Sequence, residues 1–306
     1  MTDARLAAFE AQRAHLLSIA YRMLGEMGAA EDVAQEAWLR WSRAESEDIR
    51  DPRAWLSAVT VRLALDALRK ARARRETYVG PWLPEPLLPD DMRALAADAP
   101  AARAELASDL SLALLHVLER LSPEERAALI LHDAFDCDYA AIAAALQKNE
   151  AACRKLVSRA RERVKADRPR HTVATERHRH LVATFLSASA SNDLKTLTGL
   201  LRHDVVLYSD GGGKAAAALN PIYGADRVMR FILGVIRKFG PPEGLRAEAT
   251  QINGAPGYLL HAAQSLHSAV TMDFDGETIS AIYFLRNPDK LGRIAGGRSA
   301  PRRSTI

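Results

Sequence analysis

The 306-residue sequence predicts a multi-domain protein with two all-helical domains followed by an α+β domain. Three observations predict it. Apolar residues recur at helical spacing through residues 1–77 and again through 106–168. Between them lies a connector, 78–105, which opens as Tyr78-Val79-Gly80-Pro81-Trp82-Leu83-Pro84-Glu85-Pro86-Leu87-Leu88-Pro89; its four prolines break helical structure. Past Pro169 two helical stretches give way to strand-like segments, the order of an α+β domain, here assigned to 172–291. Residues 292–306, rich in Gly, Arg and Ser, are expected to be a disordered tail.

Bulk properties narrow the classes. The chain is 48% hydrophobic and 26% charged, and it has no apolar run near the roughly 20 residues that a membrane span needs. Its N-terminus lacks the apolar core of a signal peptide, so a cytoplasmic protein is expected. Cys137 and Cys153 form neither a metal-ligand cluster nor a disulfide framework, and no metal or cofactor is expected. A net charge of +4 and a pI near 9.1 permit contact with nucleic acid without demanding it.

The first helix is expected over Arg5–Leu24, with Leu6, Phe9, Leu16, Leu17, Ala20 and Leu24 on one face and Gly25 as its stop. A second runs from Glu31 to Trp41, its acids in the first turns where the helix dipole favours them. Val33, Ala37 and Trp41 face inward. Asp32, Gln35 and Glu36 face outward, toward solvent or a basic partner, with Trp38 beside them as an anchor. Asp51-Pro52 starts a third helix, which ends in the basic run Arg69 to Arg75. Its five cations are either a solvated tail or a phosphate-binding surface.

Ser122 to Lys165 reads as a helix-turn-helix. Ser122-Pro123-Glu124-Glu125 is a capping box with proline in the first turn, Asp138 can cap a short helix Tyr139–Leu146, and Asn149 can cap the next. In that last helix Cys153, Leu156, Val157, Ala160 and Val164 make an apolar stripe. Arg154, Lys155, Ser158, Arg159, Arg161 and Lys165 lie opposite. A short helix, a tight turn and a helix basic outward suit a DNA major groove.

Several of these strings carry a resemblance. Ala30-Glu31-Asp32-Val33-Ala34-Gln35-Glu36-Ala37-Trp38, Pro52-Arg53-Ala54-Trp55-Leu56 and Leu65-Asp66-Ala67-Leu68-Arg69 resemble region 2 of bacterial sigma factors, and Ser122–Val164 resembles region 4. Those two domains alone are the layout of the extracytoplasmic-function sigma factors. The resemblance implies a non-catalytic subunit that directs core RNA polymerase to −35/−10 promoters. It implies docking on the β′ clamp helices through Glu31, Asp32, Gln35, Glu36 and Trp38, and a contact with the β flap. The unwound −10 strand would meet the loop Ser46–Asp51 and the third helix, through Arg50, Arg53, Arg62, Asp66, Arg69 and Lys70. The −35 duplex would meet Asn149, Glu150, Arg154, Lys155, Ser158, Arg159 and Arg161. This chain departs from the family at Arg62, where many members have asparagine, and at Ala141 and Gln147, in place of the usual glutamate and turn glycine. A turn that needs positive φ is strained at Gln147.

In the third domain, helices are expected over His178–Ala190 and Leu194–Leu201 and a strand over Val205–Tyr208. A further helix carries Val228, Phe231, Ile232, Val235 and Ile236. Four strands come next, near Arg246–Ile252, Gly257–Ala262, Ser265–Asp273 and Ile279–Arg286, with Asp275-Gly276 as a hairpin signal. The pattern resembles a SnoaL-like domain, a curved sheet wrapping helices into a cone that can hold an unidentified small ligand. Tyr208, Asp210, His261, His267 and Tyr283 are of catalytic type, yet no spacing fixes their geometry and no enzyme is predicted. A helix-turn-helix repressor, or a small-molecule isomerase or cyclase, is the alternative. Trp82-Leu83-Pro84-Glu85-Pro86, Asp210-Gly211-Gly212-Gly213 and Asn287-Pro288-Asp289-Lys290-Leu291 are similar to signatures of a sigma subgroup with such an appended domain. The resemblance implies that the domain regulates the DNA-binding part by packing on it.

Overall fold

The computed structural model describes residues 2–44, 49, 51–96, 110–167, 175–239, 244–263 and 265–297. It divides into two compact units, Met1–Thr77 with Asp90–Arg168, and Tyr78–Pro89 with Pro169–Ile306. The proline-rich first part of the connector, Tyr78–Pro89, therefore groups with the C-terminal domain, and the remainder with the helical one.

In the first unit, α1 (Thr2–Leu24), α2 (Met27–Arg43) and α3 (Pro52–Arg75) enclose Leu16, Leu17, Met23, Ala37 and Leu56. α1 stops at Gly25, whose φ of +70° lets its N–H reach the Tyr21 carbonyl at 2.7 Å. α2 begins four residues before the expected start because Met27 and Ala30 are buried and extend the apolar face. Its first turn holds no acid, so the dipole does not explain Glu31 and Asp32. Asp51 caps α3 through the Ala54 N–H at 3.1 Å. Most of the loop Ser46–Asp51 lies outside the described residues.

After α4 (Pro89–Leu95), α5 (Leu112–Leu118) starts at Ser111, whose hydroxyl accepts from the Leu114 N–H; positions 97–109 lie outside the described residues. The capping box of α6 (Pro123–Leu129) is present in both directions. α6 continues into a π turn, Ile130–Ala134, then α7 (Tyr139–Leu146), capped by Asp138, and α8 (Glu150–Asp167), capped by Asn149. Gln147 ends α7 at φ 55°, ψ 45°, the left-handed conformation in which a side chain is strained.

These helices pack against one another across the unit. Arg126, 1% exposed, donates to the Arg22 carbonyl at 2.9 Å and pairs with Glu119. The His15 ring meets Phe135 edge-on at 4.8 Å and its Nε2 lies 3.0 Å from the Ser57 hydroxyl. Burial, with Arg53 and Arg22 nearby, lowers the His15 pKa to about 4.

The second unit holds α9 (Thr175–Ser191), α10 (Leu194–Leu200), β1 (Leu201–Asp210), β2 (Ile222–Tyr223), α11 (Ala225–Phe239), β3 (Arg246–Ile252), β4 (Ala255–Ala262), β5 (Ser265–Asp275), β6 (Thr278–Leu285) and α12 (Pro288–Gly297). The sheet order is β2-β1-β6-β5-β4-β3; β1 and β6 run parallel and the other neighbours antiparallel. Val182 and Phe185 of α9 pack with Leu207, Val270, Met272 and Ile282 on one face of the sheet, giving an α+β cone with an apolar interior. The expected tail start at Gly292 is corrected, because α12 runs to Gly297. Its glycines suggested disorder. Leu291 and Ile294, three apart, are buried together, and the Asn287 side chain accepts from the Asp289 N–H at the helix start. Residues 298–306 lie outside the described set. Among the described residues, no helix is long and apolar enough to cross a membrane.

Candidate nucleic-acid surface and connector clasp

Of the apolar stripe of α8, Cys153, Val157, Ala160 and Val164 are buried, the first three at 0–1% exposure, and Leu156 is half-buried, which fixes which side of the helix faces out. Asn149, Glu150, Arg154, Lys155, Ser158, Arg159, Arg161 and Lys165 are all exposed. Two arginines are held. Arg154 donates to Glu150 at 2.6 Å and its guanidinium lies 5.0 Å from the centre of the Tyr139 ring. Arg161 meets the Asp133 carboxylate through Nε at 3.1 Å and Nη2 at 2.5 Å. Burial pushes the Asp133 carboxyl up, but the hydrogen bonds from Arg161 and His132 outweigh it and leave the pKa below the ordinary value. Tyr139, His132 and Asp133 carry no sequence signal for this surface, because their spacing places them there only through the π turn.

On α3, Arg53, Asp66 and Lys70 are exposed, and the half-buried Arg62 donates to the Ala58 carbonyl at 3.1 Å. Arg69 is shared between Asp66 at 3.2 Å and Glu124 of α6 at 2.6 Å. Its hydrogen bond holds the Glu124 pKa below the usual carboxylate value. Arg72 donates to the Leu121 carbonyl at 3.3 Å. Arg50 lies outside the described residues. On α2, Asp32 and Gln35 are exposed; Glu31, Glu36 and Trp38 are half-buried. Glu36 pairs with Arg40 at 3.0 Å, and Trp38 packs on Phe9 with ring centres 5.1 Å apart.

In the second unit three strings far apart in sequence meet. Asp210, fully buried, accepts from the Tyr78 hydroxyl at 2.5 Å, the Leu83 N–H at 2.9 Å and the Lys290 ammonium at 2.6 Å. Lys290 also donates to the Leu83 carbonyl and lies 4.1 Å from the centre of the Trp82 ring and 5.1 Å from that of Tyr78. Asn287 donates to the Tyr78 hydroxyl at 2.8 Å. Gly212 takes φ +59°, and a Cβ there would run into the Asn287 amide, so this glycine is set by close approach. Farther along the connector, Leu87 and Asn253 exchange two hydrogen bonds of 2.8 and 2.9 Å. Leu83, Pro84, Glu85, Pro86 and Leu87 are buried and Trp82 half-buried. Gly211, Gly213, Pro288, Asp289 and Leu291 lie in the same strings, and Asp289 pairs with Lys214 at 2.5 Å. Sequence reasoning misses the roles of Tyr78 and Asn253. The Asn253-Gly254 dipeptide between two strand-like runs is the available signal for the latter.

The residues of catalytic type do not converge. Tyr208 stacks on Tyr283 at 5.6 Å, and Tyr283 donates to Asp273 at 3.1 Å; strand alternation puts these side chains on the sheet face opposite the apolar interior. Burial raises the Asp273 pKa to about 6. His261 lies against Glu248, His267 against Arg286, and Asp210 belongs to the clasp. Among the described residues no group of His, Cys, Asp and Glu is arranged to hold a metal ion.

Known proteins share both helical regions and the whole arrangement. Residues 8–74 match the family model of Sigma-70 region 2, and residues 111–164 match Sigma-70, region 4. The chain is 41% identical over 297 residues to the ECF RNA polymerase sigma factor SigJ of Mycobacterium tuberculosis, covering 93% of this chain and 92% of that protein. It is 34% identical over 287 residues to the probable ECF RNA polymerase sigma factor SigI of the same species, covering 93% and 94%. The crystal structure of M. tuberculosis SigJ superposes with a TM-score of 0.73 at 36% identity, covering 94% of this chain and 98% of that one.

Proposed function

Because the chain belongs to the extracytoplasmic-function RNA polymerase sigma factors, we propose that α8 reads the −35 duplex, that α3 takes the −10 strand and that α2 docks on the β′ clamp helices. As a sigma factor it joins core RNA polymerase and directs it to promoter DNA. The observation that carries the residue-level reading is α8 itself, capped, apolar on its buried side and cationic on its exposed one. On α2, the exposed Asp32 offers the negative charge that a basic clamp requires, with the neutral, exposed Gln35 one turn along as a hydrogen-bonding group. A hollow of about 280 Å³ has Leu114, Leu118, Leu129, Ile130 and Val164 on its wall together with Arg22, Asp133, Arg161 and Lys165, and it is where we place a side chain of the β flap. The sigma factor works where polymerase and genome are, in the cytoplasm.

The C-terminal domain regulates by holding the connector, which links the two promoter-reading regions. Asp210 and Lys290 supply the charged part of that hold, and Leu83 and Leu87 the apolar part. Regulation then requires that clasped and released states bind polymerase or DNA with different free energies. The cone is a structural and regulatory body without catalytic chemistry; its polar side chains are dispersed and its interior is apolar.

Run-off transcription with purified core polymerase on genomic promoter libraries tests this function. Discrete transcripts that require the protein are expected. Tight duplex binding without transcripts would assign a repressor, and turnover of a small molecule without transcripts would assign an enzyme.

A further inference from the structure

The π turn between α6 and α7 delivers two side chains onto α8. An α-helix that closes one residue late re-aims the chain beyond it, and such turns often mark functional positions. Here the turn carries His132 and Asp133. Asp133 takes the Nε and Nη2 edge of Arg161, and His132 Nδ1 lies 3.0 Å from Nη2. Arg161 Nη1 has no partner among the described residues.

The pair is exposed, at 51% for Arg161 and 39% for Asp133. An isolated surface ion pair contributes little to stability. A two-point carboxylate contact does something else, because it fixes the plane of the guanidinium. The fixed side chain borders a hollow of about 260 Å³ between α7 and α8. Tyr139, Arg154, Ser158 and Lys165 line it with Arg161, and Glu162 is the one acid on its wall. Three cations, a hydroxyl and a phenol around such a space match a phosphate group.

We propose that Asp133, backed by His132, is a positioning residue for promoter binding. It holds Arg161 by one edge so that the other edge donates to a DNA backbone phosphate seated between α7 and α8. The inference rests on the promoter-binding function above. Arg161 makes the contact, and Asp133 acts through it.

The test uses the holoenzyme and a promoter fragment mapped by run-off transcription, with Asp133→Asn measured in both the Arg161 and the Arg161→Gln backgrounds. Removing an anion beside DNA would by itself strengthen binding. Asp133→Asn is instead expected to weaken it roughly three- to tenfold where Arg161 is present, the scale of one misplaced hydrogen bond. In the Arg161→Gln background it should not weaken binding. Asp133→Glu, which keeps the carboxylate, should recover most of the affinity. Arg161→Gln should reduce the salt slope by about 0.9, one phosphate's worth. Equal fold-changes in the two backgrounds, or stronger binding by Asp133→Asn with Arg161 present, would overturn the positioning role and leave the sigma function standing. A wild-type holoenzyme that binds no promoter fragment would overturn both.

Discussion

Gln147 shows how a single residue reports on its turn. It ends α7 with φ 55° and ψ 45°, where an L side chain costs roughly 1–2 kcal/mol. Gln147→Gly removes that strain but adds about 0.5–1 kcal/mol of unfolded-chain entropy. A net gain of up to about 1.5 kcal/mol is expected, read as a higher urea midpoint at unchanged slope. A lower midpoint would mean that the glutamine side chain makes a compensating contact. At this scale the helix caps are legible, because Ser122, Asp138 and Asn149 act on the backbone three residues away. Asp133 is not legible, since its partner is 28 positions distant and reached only through an irregular turn.

Among the elements, the clasp has the largest energetic leverage. Asp210→Ala leaves the Lys290 ammonium, 7% exposed at its side chain, buried without its anion. Loss of a partner in such a pair costs about 3–5 kcal/mol. Hydrogen exchange at the Leu83 and Leu87 amides is expected to accelerate strongly, and exchange in α8 to stay as it was. Asp210→Leu with Lys290→Met should restore protection at the Leu87 amide, whose acceptor is Asn253, because apolar groups can replace a buried pair; the Leu83 amide loses its Asp210 acceptor in both variants. Slow exchange in Asp210→Ala would show that Leu83 and Leu87 hold the connector unaided. The three strings are legible in sequence through their resemblance to signatures of a sigma subgroup, and the prolines of the first and glycines of the second also stand out. That Asp210, Lys290 and Asn287 close on Tyr78 is not, since those contacts span 80 to 209 positions. The C-terminal half of α12 escapes sequence reading for the opposite reason: local glycines mask the buried Ile294.

At the level of the molecule, the first unit brings regions 2 and 4 together through contacts that use side chains we propose for promoter binding. Arg69, assigned to the −10 strand, is held by Glu124 of region 4. Glu124→Gln keeps the size of the side chain and removes its charge. It is expected to increase affinity for single-stranded −10 DNA and to steepen the salt slope by about 0.7, the value of one single-strand phosphate contact. An unchanged slope would mean that Arg69 does not reach DNA once released.

The path of the chain has a practical consequence. It leaves the helical unit at Tyr78, returns at Asp90 and departs again at Pro169, so the appended domain is sewn in, not hung from one end. Cutting the gene after residue 168 would keep both polymerase-facing regions intact in sequence. It would also strip the cover from Leu83 and Leu87, each completely sheltered in the full chain and each contributing about 1.5–3 kcal/mol of burial. Such a fragment gains a greasy seam between its two halves, and whatever it does differently cannot be credited to the missing domain alone.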